Sequence, residues 1–210
     1  MVKSLLPLAA VAALSGCASA TTPGSALAEP QQWRSVATAA DRERLRDWRK
    51  AFTTALERAR AAGHGAAIAR ESALLVPDAA LGGVPIPNGD YRCRVIKLGA
   101  KTPGLLDYIA YPAFRCRITA QGGVQRFAKL GGSQRPVGTI LPGDALRQMF
   151  LGTLVLGDET GALPYGRDAE RDLAALVEKV GPARWRMVFP YPAFESLTDV
   201  IELVPIATTE

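Results

Sequence analysis

Histidine is nearly absent from this chain, which contains one copy in 210 residues, His64. It stands between Gly63 and Gly65, and neither a nucleophile nor an orienting acid can be assigned to it, so we interpret it as an exposed loop residue. The chain also lacks a Gly-x-Ser-x-Gly nucleophile elbow, a His-Glu-x-x-His zinc helix and a glycine-rich phosphate loop after a strand. These absences remove the common signatures of serine hydrolases, zinc proteases and nucleotide-binding proteins. We predict neither a metal nor another cofactor.

The apolar run near the start of the chain is too short to span a bilayer. It extends from Leu5 to Leu14, whereas a spanning helix needs about 20 apolar residues. Lys3 supplies a positive charge before the run, and small residues follow it. This order is typical of a secretory signal peptide, and we predict that residues 1–16 form one.

The end of this leader, Leu14-Ser15-Gly16-Cys17, resembles the lipobox of bacterial lipoproteins. In that family the cysteine is acylated and the chain is cut just before it, so the resemblance implies lipidation at Cys17. Each buried methylene of an acyl chain contributes about 0.8 kcal/mol, so several chains anchor a protein durably. Ala18 rather than Asp follows the cysteine, which implies the periplasmic face of the outer membrane. Cleavage close to residues 18–20, as in an ordinary signal peptide, remains the alternative.

Residues 18–32 contain no aromatic side chain and are rich in Ala, Ser, Thr and Pro. Such a composition cannot bury enough surface to offset its ordering entropy, so we predict a lipid-anchored flexible tether over 17–35. The formal net charge of +5 is a mild excess, which we interpret as a solvated surface. An exported protein seldom meets nucleic acid, so we expect none as a partner. The expected partners are the membrane, through the lipid at Cys17, and an apolar small ligand or an envelope protein.

Helical spacing characterises the next segment, residues 36–87. Thr38 and Asp41 form a capping-box pattern, and an apolar stripe with three- and four-residue spacing follows. The stripe comprises Leu45, Trp48, Phe52, Leu56 and Ala59. Gly63 is placed to end this helix, and a shorter helix is expected over 68–75. We expect the stripe to pack on the remainder of the protein; a basic amphipathic helix on the membrane surface is the alternative.

Two five-residue segments with the same residue pattern occur near the start of the remaining part of the chain, residues 88–210. Residues 91–95 and 114–118 each alternate apolar side chains with arginines around a cysteine. This alternation is typical of strands, so Cys93 and Cys116 each lie on the apolar face of a strand. If the strands are neighbours, the sulfurs come within bonding distance, and an exported compartment favours oxidation. We therefore expect a disulfide; two buried free thiols are the alternative, and two cysteines alone cannot form a tetrahedral zinc site.

More strands separated by glycine and proline turns follow. They are expected over residues 124–130, 136–141, 147–156, 184–189 and 199–204. Residues 174–180 fit a strand slightly better than a helix, because Gly181-Pro182 resembles a hairpin turn. Seven or eight such strands predict a mainly β fold, an antiparallel barrel or sandwich of lipocalin-like kind, with an N-terminal α-helical segment.

A small barrel can hold one apolar ligand, and five aromatic residues are candidates for the lining of such a cavity. They are Tyr91, Phe114, Phe127, Trp185 and Phe189. The alternative is that these rings simply fill the interior, as in many eight-stranded barrels. The tetrapeptide Tyr-Pro-Ala-Phe also occurs twice, at 111–114 and 191–194, and one tetrapeptide does not decide whether an internal repeat exists.

Paired carboxylates are the remaining candidate chemistry, because two acids can hydrolyse a substrate without a metal. The pairs considered are Asp199 with Glu202, Asp158 with Glu159, and Asp90 with Asp107. None forms a constellation in the sequence, since the first pair lies on opposite faces of a strand and the second in a turn. We therefore expect a non-catalytic protein that binds a ligand or partner in the cell envelope. A periplasmic hydrolase is the alternative.

Five segments together carry a resemblance to one known family. They are Asn88–Gly99, Tyr111–Cys116, Phe150–Gly152, Arg184–Arg186 and Pro190–Pro192. In these segments the chain resembles the exported alphaproteobacterial proteins catalogued as domain of unknown function 4893. The likeness extends over about residues 33–205, and the two cysteine strands are its most specific part. The family has no assigned activity, so the resemblance implies an exported domain and no catalytic residue.

Overall fold

The computed structural model describes Met1, residues 32–83 and residues 85–207. The remainder of the predicted leader, the predicted lipidation site Cys17 and most of the predicted tether lie outside the described residues. In the part of the chain that is described, no helix is both long and apolar enough to cross a membrane.

Nine antiparallel strands within the described residues form one sheet that closes on itself. The strands are β1 (Gly89–Ala100), β2 (Tyr108–Ala110), β3 (Phe114–Gln121), β4 (Val124–Lys129), β5 (Gln134–Pro142), β6 (Arg147–Leu156), β7 (Asp172–Gly181), β8 (Arg184–Pro190) and β9 (Ser196–Pro205). The strands β3 to β9 form a meander, and β1 pairs with both β3 and β9. These eight strands close a barrel, whereas the short β2 pairs only with the second half of β1. The predicted mainly β fold is confirmed as a barrel, and residues 174–180 are a strand within β7.

Side chains alternate between the barrel interior and its outer surface, as the period of two in a strand requires. In β6, Phe150 and Leu154 belong to the interior cluster, while Met149 and Leu151 pack on the outside. Both faces of β6 are therefore buried, and apolar residues occupy consecutive positions. This pattern differs from that of a half-solvated strand, where polar residues alternate with apolar ones.

Helices cover the buried part of the outer surface. They are α1 (Trp33–Val36), α2 (Ala39–Arg46), α3 (Trp48–Ala59) and α4 (Gly65–Arg70), with a π-helical turn at Arg60–His64 and a 3-10 turn at Ser72–Leu75. The Thr38 side chain caps α2 by accepting a hydrogen bond from the backbone N–H of Asp41 at 3.1 Å. The predicted apolar stripe packs against outward side chains of the barrel such as Ile96, Val188 and Val200.

The helix predicted from the stripe is interrupted at two places. Asp47 separates α2 from α3, because its φ of −92° and ψ of 11° lie outside the helical region. Gly63 has φ +89°, a conformation that glycine adopts without steric cost, and a helix resumes at Gly65. Gly63 therefore marks a kink rather than the predicted helix end. His64 is half-buried against the ring of Tyr108, with ring centroids 5.4 Å apart, and is not the exposed loop residue expected.

The predicted disulfide between Cys93 and Cys116 is confirmed. The two Cα atoms are 5.9 Å apart, and both residues are fully buried inside the barrel. Cys93 lies opposite Phe114, the first residue of β3, so beyond Cys93 the strand β1 loses β3 as a neighbour. The bond therefore joins the two strands at the point where their pairing ends.

A buried ion pair fastens the helical segment to the barrel. Arg186 in β8 and Glu178 in β7 have fully buried side chains, and Arg186 Nη2 lies 2.6 Å from Glu178 Oε2. The same guanidinium donates to four backbone carbonyls around the last helical turn, those of Ala73, Leu74, Val76 and Pro77. These bonds satisfy carbonyls that the end of a helix leaves without partners.

Candidate functional site

One end of the barrel is closed by the segment that leads into β1. Ile86 is fully buried among the interior side chains, and its backbone N–H donates to Gln148 Oε1 at 2.9 Å. Gln125 Nε2 donates to the carbonyl of Ile86 at 2.7 Å, so both backbone polar groups of this residue are satisfied. An apolar side chain held by two amides thus plugs this end, which we call the closed end.

Three of the five predicted cavity residues fill the closed half and the middle of the barrel. The ring of Tyr91 packs edge-on against Trp185, with centroids 6.4 Å apart, and its hydroxyl donates to the carbonyl of Pro87 at 2.5 Å. Phe127 packs edge-on against Phe150, with centroids 5.7 Å apart. These three side chains therefore fill the barrel interior, which was the alternative to lining a cavity.

The opposite end of the barrel contains a cavity of about 190 Å³. We call this end the mouth; its turns are residues 101–107, 130–133, 157–171 and 191–195. Phe114 and Phe189, the other two predicted residues, line the cavity. Further apolar residues of the wall include Val95, Leu154, Leu173, Phe194 and Ile201. Drug-sized sites enclose about 300–1,000 Å³, so this cavity suits a smaller ligand.

Lys129 is a buried ammonium that pairs with no carboxylate of the described residues. Its Nζ donates to the carbonyls of Gly131 and Gln134, at 2.5 and 2.9 Å, and lies 3.7 Å from the ring centroid of Phe114. An ammonium has three N–H donors, so one remains for a ligand. Gly132 permits this packing, because a Cβ there would lie 2.8 Å from Nζ. Burial, reinforced by neighbouring cations, lowers the pKa of Lys129 to about 8.

Lys97 is the second ammonium of the cavity, and two carboxylates hold it. Its Nζ lies 2.9 Å from Glu195 Oε2 and 3.3 Å from Asp199 Oδ2. Burial alone would lower the pKa of Lys97, but the two carboxylates outweigh this effect and the pKa is raised. Burial raises the pKa of Asp199, and Lys97 opposes that rise. The charge of Lys97 is thus compensated by carboxylates, whereas Lys129 has no such partner in the part of the chain that the structure describes.

The turn between β8 and β9 forms one wall of the mouth in a strained conformation. Tyr191 and Glu195 have φ values of 47° and 64°, which residues with a Cβ seldom adopt. The ammonium of Lys101 donates to two carbonyls between them and so helps to hold the turn. Backbone strain of this kind is concentrated at functional sites, where the surrounding structure maintains it.

Both copies of the repeated Tyr-Pro-Ala-Phe tetrapeptide lie at the mouth. Phe114 ends the first copy at the start of β3, and Phe194 ends the second in the β8–β9 turn. Both of these rings line the cavity, as does Tyr111 from the first copy. The two copies therefore have the same role, which is to place a phenylalanine in the wall of the opening.

The carboxylate pairs considered from the sequence do not converge. Asp199 faces the cavity, whereas Glu202 faces the outer surface of β9 and pairs with two arginines there. Asp90 and Asp107 bind different arginines. No group of three or more metal-ligating side chains is found within the described ranges.

The charged residues of the cavity were not identified from the sequence, although a signal for two of them exists. Positions two apart in a strand share a face. Lys129 therefore lies on the same face of β4 as Phe127, and Lys97 lies on the same face of β1 as Val95. A lysine on an otherwise apolar face is that signal, because such a face points into the core. Glu195 lies in a turn and has no comparable signal.

A comparison with protein families gives one match, described as Domain of unknown function (DUF4893), over residues 33–203. The match covers the helices and nearly all of the barrel. No curated protein and no solved structure matches the chain.

Proposed function

The chain belongs to the family described as Domain of unknown function (DUF4893), and we propose that it is a non-catalytic binding protein of the cell envelope. Acyl chains on Cys17 hold it at the periplasmic face of the outer membrane. The barrel cavity takes a small apolar molecule that carries an anionic group. The observation that supports this proposal most directly is the ammonium of Lys129, which has no carboxylate partner among the described residues and lies in a largely apolar cavity.

The chemistry of the wall defines both parts of the ligand. Rings and aliphatic side chains, among them Phe114, Phe189 and Leu154, offer an apolar surface to a short hydrocarbon chain. Lys129 offers one free N–H, and charge-assisted hydrogen bonds are roughly twice as strong as neutral ones. The surroundings of the ammonium exclude much of the water that would screen it, so an anion gains more there than at the surface. Decanoate combines both features and is a suitable probe.

Replacing Lys129 by Met is expected to weaken decanoate binding at least about tenfold, because a hydrogen bond to a charged group contributes about 1.5–3 kcal/mol. The change keeps an apolar side chain of similar length and removes the ammonium alone. Isothermal titration calorimetry measures the dissociation constants. Lys179→Met is the matched control, since that ammonium also lies over a ring, that of Trp185 at 5.7 Å, but outside the cavity. Equal affinity of wild type and Lys129→Met would refute the proposal.

The affinity for decanoate is also expected to fall as the pH rises. The pKa of Lys129 is about 8, and decanoate stays ionised above neutral pH, so the ammonium loses its charge in this range while the ligand keeps its own. Between about pH 7 and pH 9 the protonated fraction, and with it the affinity, falls by roughly tenfold. The same titration repeated with decanol should show no such fall, because decanol carries no charge. A flat profile for decanoate would contradict the assignment of Lys129.

The same pKa shift fixes the sign of the effect of Lys129 on stability. The unfolded chain retains this proton up to about pH 10.5, whereas the folded protein releases it near pH 8. The ammonium therefore destabilises the fold below about pH 8, and that effect is relieved as the pH rises from 8 to 10.5. Lys129→Met removes this charge together with the hydrogen bonds to Gly131 and Gln134, so the free energy of unfolding of the variant is measured beside its affinity to separate weaker binding from unfolding.

A hydrolase is the second candidate, because the carboxylates of Glu195 and Asp199 meet at Lys97 inside the cavity. Both are engaged by that ammonium, which leaves neither free as a general base and favours the binding function. Incubation of the protein with a decanoyl ester distinguishes the hydrolase from the binding protein. Ester that is cleaved by wild type and survives with Asp199→Asn would favour the hydrolase.

A further inference from the structure

Exposed leucines occur on several turns of the mouth. Leu105 and Leu106 are adjacent in the turn after β1, and their exposed fractions are 45% and 63%. Leu130, just after β4, and Leu163, between β6 and β7, are exposed as well. Apolar side chains around the opening of an apolar cavity are suited to contact a hydrophobic partner.

The helical segment also begins at the mouth. The backbone N–H of Thr38 donates to the hydroxyl of Tyr165 at 3.0 Å, and that hydroxyl donates to Asp41 at 2.5 Å. Tyr165 belongs to the β6–β7 turn, which is part of the mouth. Trp33, the first residue of α1, is buried in the same cluster of helix and barrel side chains. Thr38, five residues after the first residue of α1, therefore lies beside this end of the barrel.

The predicted tether is short compared with the barrel. Residues 18–32 separate Cys17 from α1, and a flexible chain of that length has an r.m.s. end-to-end distance of about 20 Å. Strands such as β6 rise about 3.3 Å per residue and tilt by about 35–45°, so the barrel is roughly 25 Å tall. An acyl anchor attached through this tether thus keeps the mouth nearer to the bilayer than the closed end.

We propose that the mouth docks on the lipid bilayer through Leu105 and Leu106, so that the cavity exchanges its ligand directly with the membrane. The proposal rests on the proposed function, because it requires the anchor at Cys17 and an amphiphilic ligand. A single-chain amphiphile dissolves in a bilayer and reaches the cavity without crossing water when the two apolar surfaces are in contact. The partner is the bilayer that carries the anchor, and not a second protein.

Tryptophan substitutions at the two ends of the barrel test this orientation. Leu106→Trp places a fluorophore at the mouth, and Leu146→Trp places one in the β5–β6 turn at the closed end, where the leucine is also exposed, at 40%. The lipidated full chain is reconstituted in vesicles of phosphatidylethanolamine and phosphatidylglycerol, with and without bromine on the acyl chains. Bromine is expected to reduce the added fluorescence of Leu106→Trp at least about twofold and to leave that of Leu146→Trp nearly unchanged, because only an inserted ring meets the acyl chains.

Equal quenching at the two positions, stronger quenching at 146, or none at either would overturn the docking proposal. Decanoate affinity of the same variants, measured without vesicles, keeps this result separate from the proposed function. Retained affinity without quenching at 106 would refute docking alone. Quenching at 106 in a protein that binds no decanoate would refute the binding function and leave docking supported.

Discussion

Replacing Arg186 by Met is expected to lower the free energy of unfolding by about 3–5 kcal/mol, since it removes one of the two arginines that pair with the buried carboxylate of Glu178. The side chain of Glu178 is fully buried; its Oε2 lies 2.6 Å from the guanidinium of Arg186, and its Oε1 lies 2.6 Å from Arg147 Nε. Four backbone carbonyls after the last helical turn lose a donor at the same time. Guanidinium-induced unfolding followed by circular dichroism measures the change.

Two further variants distinguish the loss of the buried bonds of Arg186 from the loss of a positive charge in general. Arg115→Met removes an arginine that pairs with Asp90 at the surface, where the side chain is 65% exposed, and should change stability little. The double variant with Arg186→Met and Glu178→Met should be more stable than Arg186→Met alone, because it no longer buries a carboxylate that has lost one of its two arginines. Equal stability of the Arg186 and Arg115 variants would show that the buried pair does not hold the helices on the barrel.

Removing the disulfide by Cys93→Ala together with Cys116→Ala is expected to lower the free energy of unfolding by about 3 kcal/mol. The cysteines are 23 residues apart, and the effect of a cross-link on the entropy of the unfolded chain has this size for a loop of that length. The same bond joins β1 to β3 where their pairing ends, so its loss should also loosen the mouth near Phe114.

Reduction of the wild-type protein offers the control for this prediction, because it breaks the bond without removing side-chain atoms. Reduced wild type should unfold at nearly the same denaturant concentration as the double alanine variant. A double variant as stable as the oxidised protein would mean that the strand pairing alone maintains this part of the barrel wall. Decanoate affinity measured in parallel reports whether the cavity depends on the bond.

The strands were predictable where each has one polar face. Residues 91–95 and 114–118 alternate arginine with buried residues, and both lie in strands of the barrel. The strand β7 was ambiguous for a physical reason: its inner face packs in the barrel interior and its outer face lies beneath the helices. With both faces buried, the period of two disappears, and Leu173, Leu176, Val177 and Val180 fit a helical stripe equally well.

The candidate site was only partly predictable, because its position depends on closure of the barrel. Phe114 and Phe127 both occupy inward strand positions, yet one lines the cavity and the other fills the core. The difference arises from Ile86, which plugs one end through bonds to residues far away in the sequence. The role of Arg186 was hidden for a similar reason, since the carbonyls that it binds come from a segment about 110 residues earlier.

Comparison of two of the buried cations, Arg186 and Lys129, separates a structural role from the proposed binding role. Arg186 has a carboxylate partner and four carbonyl acceptors, so its bonding capacity is used within the protein. Lys129 has two carbonyl acceptors and no carboxylate partner among the described residues, and burial lowers its pKa. A cation that destabilises the fold and faces a cavity supports the proposed binding of an anionic ligand, which would supply the missing charge.

A crystal structure of the protein grown with decanoate tests this claim most directly. We expect the carboxylate within hydrogen-bond distance of Lys129 Nζ and the hydrocarbon chain against Phe114 and Phe189 inside the barrel. An empty cavity at a saturating decanoate concentration would contradict the account. So would decanoate bound only to arginines on the outer surface.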